Sequence, residues 1–148
     1  ERNRPELAVQ AAQRLAHLGG DASQVRAWLL PVWDRMVDLP DALAEHHALK
    51  LVRALEAGLD DLDAPWLARI ESAYQGNPRD ARLQYLAGMA CLKRQLWGKA
   101  QQLLTQAAQQ LGDSSLRASA WRHLAELAEK RGDDSAAAEA WKKAALGR

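Results

Sequence analysis

Two stretches of this chain carry the same spacing of small and large residues, and that repetition limits the fold more than any other feature. The first reads Gln84, two residues, Ala87-Gly88, two residues, Cys91, then Trp97, Ala100, three residues, Leu104 and Ala107. The second reads Trp121, two residues, Leu124-Ala125, two residues, Ala128, then Gly132, Ala137, three residues, Trp141 and Ala144. In both, the leading residue lies 16 positions before the alanine of the second half, Ala100 or Ala137. Small residues at fixed offsets mark places where two helices approach closely, and the large ones fill the gaps between successive hairpins.

This spacing is that of a tetratricopeptide helix hairpin, a unit of about 34 residues. The two units are offset by 37 residues. The extra length falls in the Gly112-Asp113-Ser114-Ser115 turn, where an insertion costs little. An earlier unit shows only its second half, Trp66, three residues, Ile70, then Ala73 and Pro78. No hairpin of this kind buries its apolar stripe alone, so such units stack into a right-handed superhelix with a concave face.

Composition agrees. Of 148 residues, 30 are Ala and 24 Leu, while Val, Ile and Thr together number seven. Good helix formers dominate and β-branched residues are scarce, which predicts an all-α chain and excludes sheet enzymes and barrels. Punctuation by Gly, Pro and Asp marks eight helical stretches, at about 5–18, 21–38, 41–58, 63–76, 81–94, 97–111, 114–131 and 133–146. Pro31 lies inside the second and is expected to kink it. Every linker is short, so neighbouring helices are antiparallel and form four pairs. The expected organisation is one domain over 1–148. Residues 1–46 form divergent helices or a cap, 47–80 a degenerate repeat, and 81–117 and 118–148 two repeats.

Twenty basic residues face 19 acidic ones, a net charge of +1. That balance gives no broad positive field for a nucleic-acid backbone or an anionic bilayer. The lone Cys91 makes no internal disulfide,. No apolar run approaches the ~18 residues that span a bilayer. The chain opens on Glu1, which suggests a piece of a longer protein.

Several strings within 51–146 are more specific than the generic repeat. They include Leu67-Ala68-Arg69-Ile70-Glu71, Asn77-Pro78-Arg79-Asp80, Leu83-Gln84-Tyr85-Leu86-Ala87-Gly88, Gln95-Leu96-Trp97-Gly98-Lys99-Ala100 and Leu124-Ala125-Glu126-Leu127-Ala128-Glu129. With these the segment resembles the C-terminal tetratricopeptide domain of the HemY family, proteobacterial inner-membrane proteins associated with haem and porphyrin biosynthesis. The resemblance implies two membrane spans upstream and a repeat domain on the cytoplasmic side of the inner membrane. It implies an interaction role rather than catalysis, with haem-pathway enzymes as candidate partners. The flavin-dependent oxidase that shares the name needs a Gly-rich dinucleotide-binding unit, and no GxGxxG occurs here.

The residues able to carry chemistry form no catalytic set, and no cofactor or metal is expected. His46 and His47 are adjacent on a helical stretch, so they point about 100° apart and cannot chelate one ion from one face. His17 and His123 have no companions at ligand spacing. Cys91 takes the pattern's Tyr position and reads as a small buried hydrophobe. Asp60, Asp61 and Asp63 lack the Gly and closing Glu of a calcium loop and suit a helix start. Of the six tryptophans, Trp66, Trp97, Trp121 and Trp141 hold repeat packing positions; Trp28 and Trp33 do not follow the pattern.

The concave groove remains as the candidate site. Its expected lining is Arg82, Tyr85, Met89 and Lys93, with Leu92, from the repeat that begins at Ala81, and Arg122 and Glu126, with Ser119 and Lys130, from the next. A groove with Tyr and Met among charges suits a peptide or a helix. The Lys/Asn pairs that grip a C-terminal carboxylate in chaperone-cofactor repeats are absent. Protein partners, with no nucleic acid and no direct membrane contact, are therefore expected. The alternative is a porphyrin or haem carrier with His46, His47, His17 or Cys91 as axial ligand.

Overall fold

Asp80, Asp113 and Asp133 set the phase of the C-terminal helices. Each stands before a helix and accepts hydrogen bonds from its first turn. Asp80 Oδ1 accepts from the Arg82 and Leu83 amides, Asp113 Oδ2 from Leu116, and Asp133 Oδ1 from Ala136. Such caps satisfy donors that the helix itself leaves open. The computed structural model describes residues 64–146 continuously, and before them residues 14, 27, 29–31, 33, 34, 36, 37, 51–53 and 55. Five helices run through the continuous part: α1 (Ala64–Gly76), α2 (Ala81–Lys93), α3 (Trp97–Gln110), α4 (Ser114–Lys130) and α5 (Asp134–Leu146). There is no strand among the described residues, so the chain is all-α as its composition predicts.

The chain divides into two compact units, Glu1–Trp66 and Leu67–Arg148. In the first, the described positions are helical. Helix is present on both sides of Pro31 and at Pro31 itself. Leu29, Trp33 and Met36, spaced i, i+4, i+7, are buried, as are Leu51, Val52, Leu55 and Trp66. The rings of Trp33 and Trp66 meet edge to face with centroids 5.8 Å apart, a favoured aromatic geometry. Trp33 is thus a core residue. Of the expected helices over 5–18 and 41–58, residues 14, 51–53 and 55 are described and helical; the rest of both, with His17, Trp28, His46, His47, Asp60, Asp61 and Asp63, lies outside the described residues.

In the second unit α2 packs on α3, α3 on α4, and α4 on α5. Gly88 is the point of closest approach in the first hairpin. A Cβ placed there would lie 2.9 Å from both Cγ and Cδ2 of Leu104 and 3.3 Å from Cβ of Leu103. Ala100, Ala125 and Ala137 are all buried. The small residues therefore stand where the repeat pattern demands them. Leu104 is fully buried too. The tryptophans depart from expectation: Trp97 is 41 % and Trp141 39 % exposed, and Trp121 is half-buried. Instead of filling gaps between hairpins they carry polar neighbours. Lys130 Nζ sits 4.2 Å above the Trp97 ring, and Lys143 Nζ 4.5 Å above that of Trp121. Trp141 Nε1 donates to Glu129 Oε2 at 3.2 Å.

Both hairpin turns close in the same way. After α2, the Leu96 amide donates to Cys91 O and the Gln95 amide to Leu92 O. After α4, the Asp133 amide donates to Ala128 O and the Gly132 amide to Glu129 O. This is the Schellman closure, which needs one residue in the left-handed region. Gly132 fills that place with φ 76°, and Gln95 with φ 62°. Gln95→Gly is expected to raise stability by about 0.5–1 kcal/mol, and Gly132→Ala to lower it by about 1–2 kcal/mol. Urea titrations followed by circular dichroism read both signs; a gain on Gly132→Ala would show that the turn does not hold this conformation.

Candidate functional site

α2 and α4 are the first helices of successive hairpins, and the face they share is where the groove is expected. Nine consecutive residues of α2, Leu83 to Cys91, are buried. Tyr85 is fully buried and Met89 3 % exposed, so neither lies on an open surface as the one-turn spacing suggested. The reason is that α2 is enclosed on more than its α3 side. The Tyr85 hydroxyl and Ser119 Oγ, 2.8 Å apart in the interior, tie α2 to α4. Ser119 is itself buried, and its carbonyl accepts from Nδ1–H of His123 at 2.8 Å. Tyr85 and Ser119 are thus a structural bridge under the site.

Above that bridge lies an open cleft of about 230 Å³, lined by Met89, Leu92 and Lys93 of α2, Trp97 of α3, and His123, Glu126, Leu127 and Lys130 of α4. Met89 and Leu127 are its buried floor. Lys93, Trp97, Glu126 and Lys130 are exposed at its rim. Five of the nine groove residues expected from sequence, Met89, Leu92, Lys93, Glu126 and Lys130, therefore line one cleft. Arg122 is exposed on α4 but not part of the lining. Arg82 is at the start of α2, with Nε 3.5 Å from the capping carboxylate of Asp80. Sequence reasoning missed Trp97, His123 and Leu127 as lining. The repeat pattern makes Trp97 a core filler, whereas it stands exposed as the first residue of α3.

Cys91 lies on another side of α2, beside a small cavity of about 30 Å³ whose walls include Glu71, Tyr74, Arg94 and Lys99. Burial pushes its thiol up from the usual value, against the opposing pull of Lys99 and Arg94. At neutral pH it is held as the thiol, which is neither a nucleophile nor a metal ligand. Gln84, in the place Trp121 takes in the next repeat, is buried and donates from Nε2 to Pro78 O at 2.8 Å. Among the described residues no three His, Cys, Asp or Glu side chains gather as a metal site. No described helix is long and apolar enough to cross a membrane.

Paired antiparallel helices, small residues at the crossing points and repeated turn closures define a tetratricopeptide-type helical repeat. No protein-family model matches the chain, and no curated protein does. Among solved structures it is similar to MamA, itself tetratricopeptide-like. The MamA 41-end structure from Desulfovibrio magneticus RS-1 is 23% identical with a TM-score of 0.57, covering 96% of this chain and 74% of that one. The MamA RS-1 ArsTM double mutant is also 23% identical, with a TM-score of 0.56 over 99% of this chain and 76% of its own. At that identity the likeness speaks for the fold.

Proposed function

We propose that this chain is a protein–protein interaction scaffold that holds a segment of a partner in the cleft between α2 and α4. The observation that carries the reading is the cleft itself, with an apolar floor of Met89 and Leu127 and the charges of Lys93, Glu126 and Lys130 at its rim. An apolar anchor excludes water and supplies affinity, while rim charges select orientation and partner. No bond is made or broken in this mechanism. The resemblance to the HemY family supports a finer version, in which the domain belongs to a membrane-anchored inner-membrane protein and its partners are enzymes of haem and porphyrin synthesis.

Crosslinking in cells followed by affinity capture tests both levels. The wild type is expected to enrich a small set of proteins that includes porphyrin-pathway enzymes. Lys93→Glu with Lys130→Glu is expected to reduce that capture about tenfold, since two rim charges oppose the partner instead of attracting it. Capture unchanged by the double variant would remove the cleft from the mechanism. Enrichment of cell-envelope assembly factors in place of porphyrin enzymes would remove the haem association. The carrier alternative predicts a Soret shift when haemin is titrated into the protein. No shift at micromolar haemin would remove that alternative.

A further inference from the structure

The near-zero charge of the whole chain hides a division between its two units. Residues 1–66 carry 7 basic and 11 acidic side chains, and residues 67–148 carry 13 and 8. The C-terminal unit therefore bears a net charge of +5. Part of that excess recurs with the repeat: Lys93-Arg94 and Lys130-Arg131 stand at the ends of α2 and α4, offset by 37 residues. Within each pair the two residues part. Arg94 lines the cavity beside Cys91 and Arg131 bonds Gln101 Oε1, whereas both lysines line the α2–α4 cleft. A cation in a last turn suits the helix dipole, which accounts for lysine there but not for both lysines standing at one cleft. Lys130 is held at the rim by the Trp97 ring, 4.2 Å from its Nζ. A ring fixes an ammonium without cancelling its charge. Glu126, one turn back along α4, is the one carboxylate in the lining and leaves the lysine end of the cleft positive. His123 is bound through Nδ1 to the Ser119 carbonyl.

We infer, resting on the cleft as the partner site, that the segment it holds is an acidic peptide of another protein. One large apolar side chain, Leu or Phe, sits on Met89 and Leu127, and a carboxylate follows at the end where Lys93 and Lys130 stand. The spacing sets the pattern. Lys93 is four residues beyond Met89 and Lys130 three beyond Leu127, so each lysine lies about 4.5–6 Å along its helix from the floor. The carboxylate is therefore about two residues from the apolar anchor in an extended peptide. The cleft of about 230 Å³ is smaller than the ~300–1,000 Å³ of a small-molecule pocket, and suits a single anchoring side chain. The charge of the unit around it draws an acidic segment in, and the floor retains it. A bare polyanion fits less well, because it brings no apolar group to the floor and sets negative charge beside Glu126.

The test is selection of a displayed library of short random peptides on the whole 148-residue chain, followed by fluorescence anisotropy of an enriched peptide. Peptides with one Leu or Phe close to Asp or Glu are expected to be enriched. Lys93→Glu with Lys130→Glu is expected to weaken the enriched peptide at least about tenfold. Exchanging the peptide's acidic residues for lysine is expected to restore binding to that variant. Glu126→Trp puts a ring over the floor and is expected to abolish binding of any peptide seated there. All three positions are exposed, and circular dichroism checks that the variants fold. Enriched peptides that are basic or uncharged, yet blocked by Glu126→Trp, would overturn the acidic partner and leave the cleft as the site. Peptides that neither variant affects would overturn both readings. Heparin that displaces the peptide as well as unlabelled peptide does would also overturn the inference, since charge alone would then account for the attraction.

Discussion

Leu104→Ala is expected to lower the stability of the C-terminal unit by about 3 kcal/mol, at the middle of the range for a fully buried leucine. Leu104 is 0% exposed and lies under Gly88, so its removal opens a cavity at the narrowest point of the α2–α3 hairpin. The same contact sets the sign for Gly88→Ala. In an isolated helix that change would gain about 1 kcal/mol. Here the new methyl would lie 2.9 Å from Cγ and Cδ2 of Leu104 and 3.3 Å from Cβ of Leu103. Relieving such contacts costs about 1–3 kcal/mol, so the net change is a loss. Leu104 can move its Cγ and Cδ2 only by leaving its rotamer in a packed interior, and Leu103 Cβ moves only with the α3 backbone,. The double variant Gly88→Ala, Leu104→Ala places the new methyl in the space the leucine leaves. Its loss is expected to be smaller than the sum of the single losses by at least about 1 kcal/mol. Urea unfolding of the four proteins supplies the cycle; strict additivity would mean that Gly88 and Leu104 do not touch.

The helices of the C-terminal unit are legible because their boundaries are chemical. Asp80, Asp113 and Asp133 cap helices that start at Ala81, Ser114 and Asp134, and Pro78 cannot extend α1. The burial of Tyr85 and Met89 was harder to see, because a helical wheel assumes one buried face. Yet the run from Leu83 to Cys91 contains no charged residue, and a helix apolar all round is buried all round. That run was the signal. Trp97 and Trp141 illustrate the opposite failure. The repeat pattern fixes where a residue sits in its own hairpin, but exposure depends on the next element along. Leu104 and Trp141 hold equivalent positions in α3 and α5, yet Leu104 is fully buried and Trp141 is 39 % exposed. The Schellman turn at Gln95 carries no sequence marker for a related reason: glycine is the usual residue of such a closure, and here a glutamine holds φ 62°,.

The Tyr85–Ser119 bridge connects this packing to the proposed role, and Tyr85→Ala is expected to be the most damaging single change in the unit. Removing a fully buried aromatic ring costs about 3–5 kcal/mol, a large share of the stability of a domain this size. Tyr85→Phe separates the ring from its hydroxyl. It keeps the packing and leaves Ser119 Oγ without its 2.8 Å partner in the interior, at a cost of about 1–3 kcal/mol. Tyr85→Phe combined with Ser119→Ala removes both ends of the bond and should recover part of that cost. The functional consequence differs from the stability one. Met89 stands one turn beyond Tyr85 on α2, and His123 one turn beyond Ser119 on α4, and both line the cleft. The bridge therefore fixes the separation of the two cleft walls. Tyr85→Phe with Ser119→Ala should fold at 25 °C and yet capture partners less well than the wild type, because the two walls lose the buried hydroxyl pair that joins them. If that double variant captures partners at wild-type yield while its unfolding midpoint is lowered, then the bridge serves folding alone, and the cleft's width is set by the α3 backbone packed between α2 and α4.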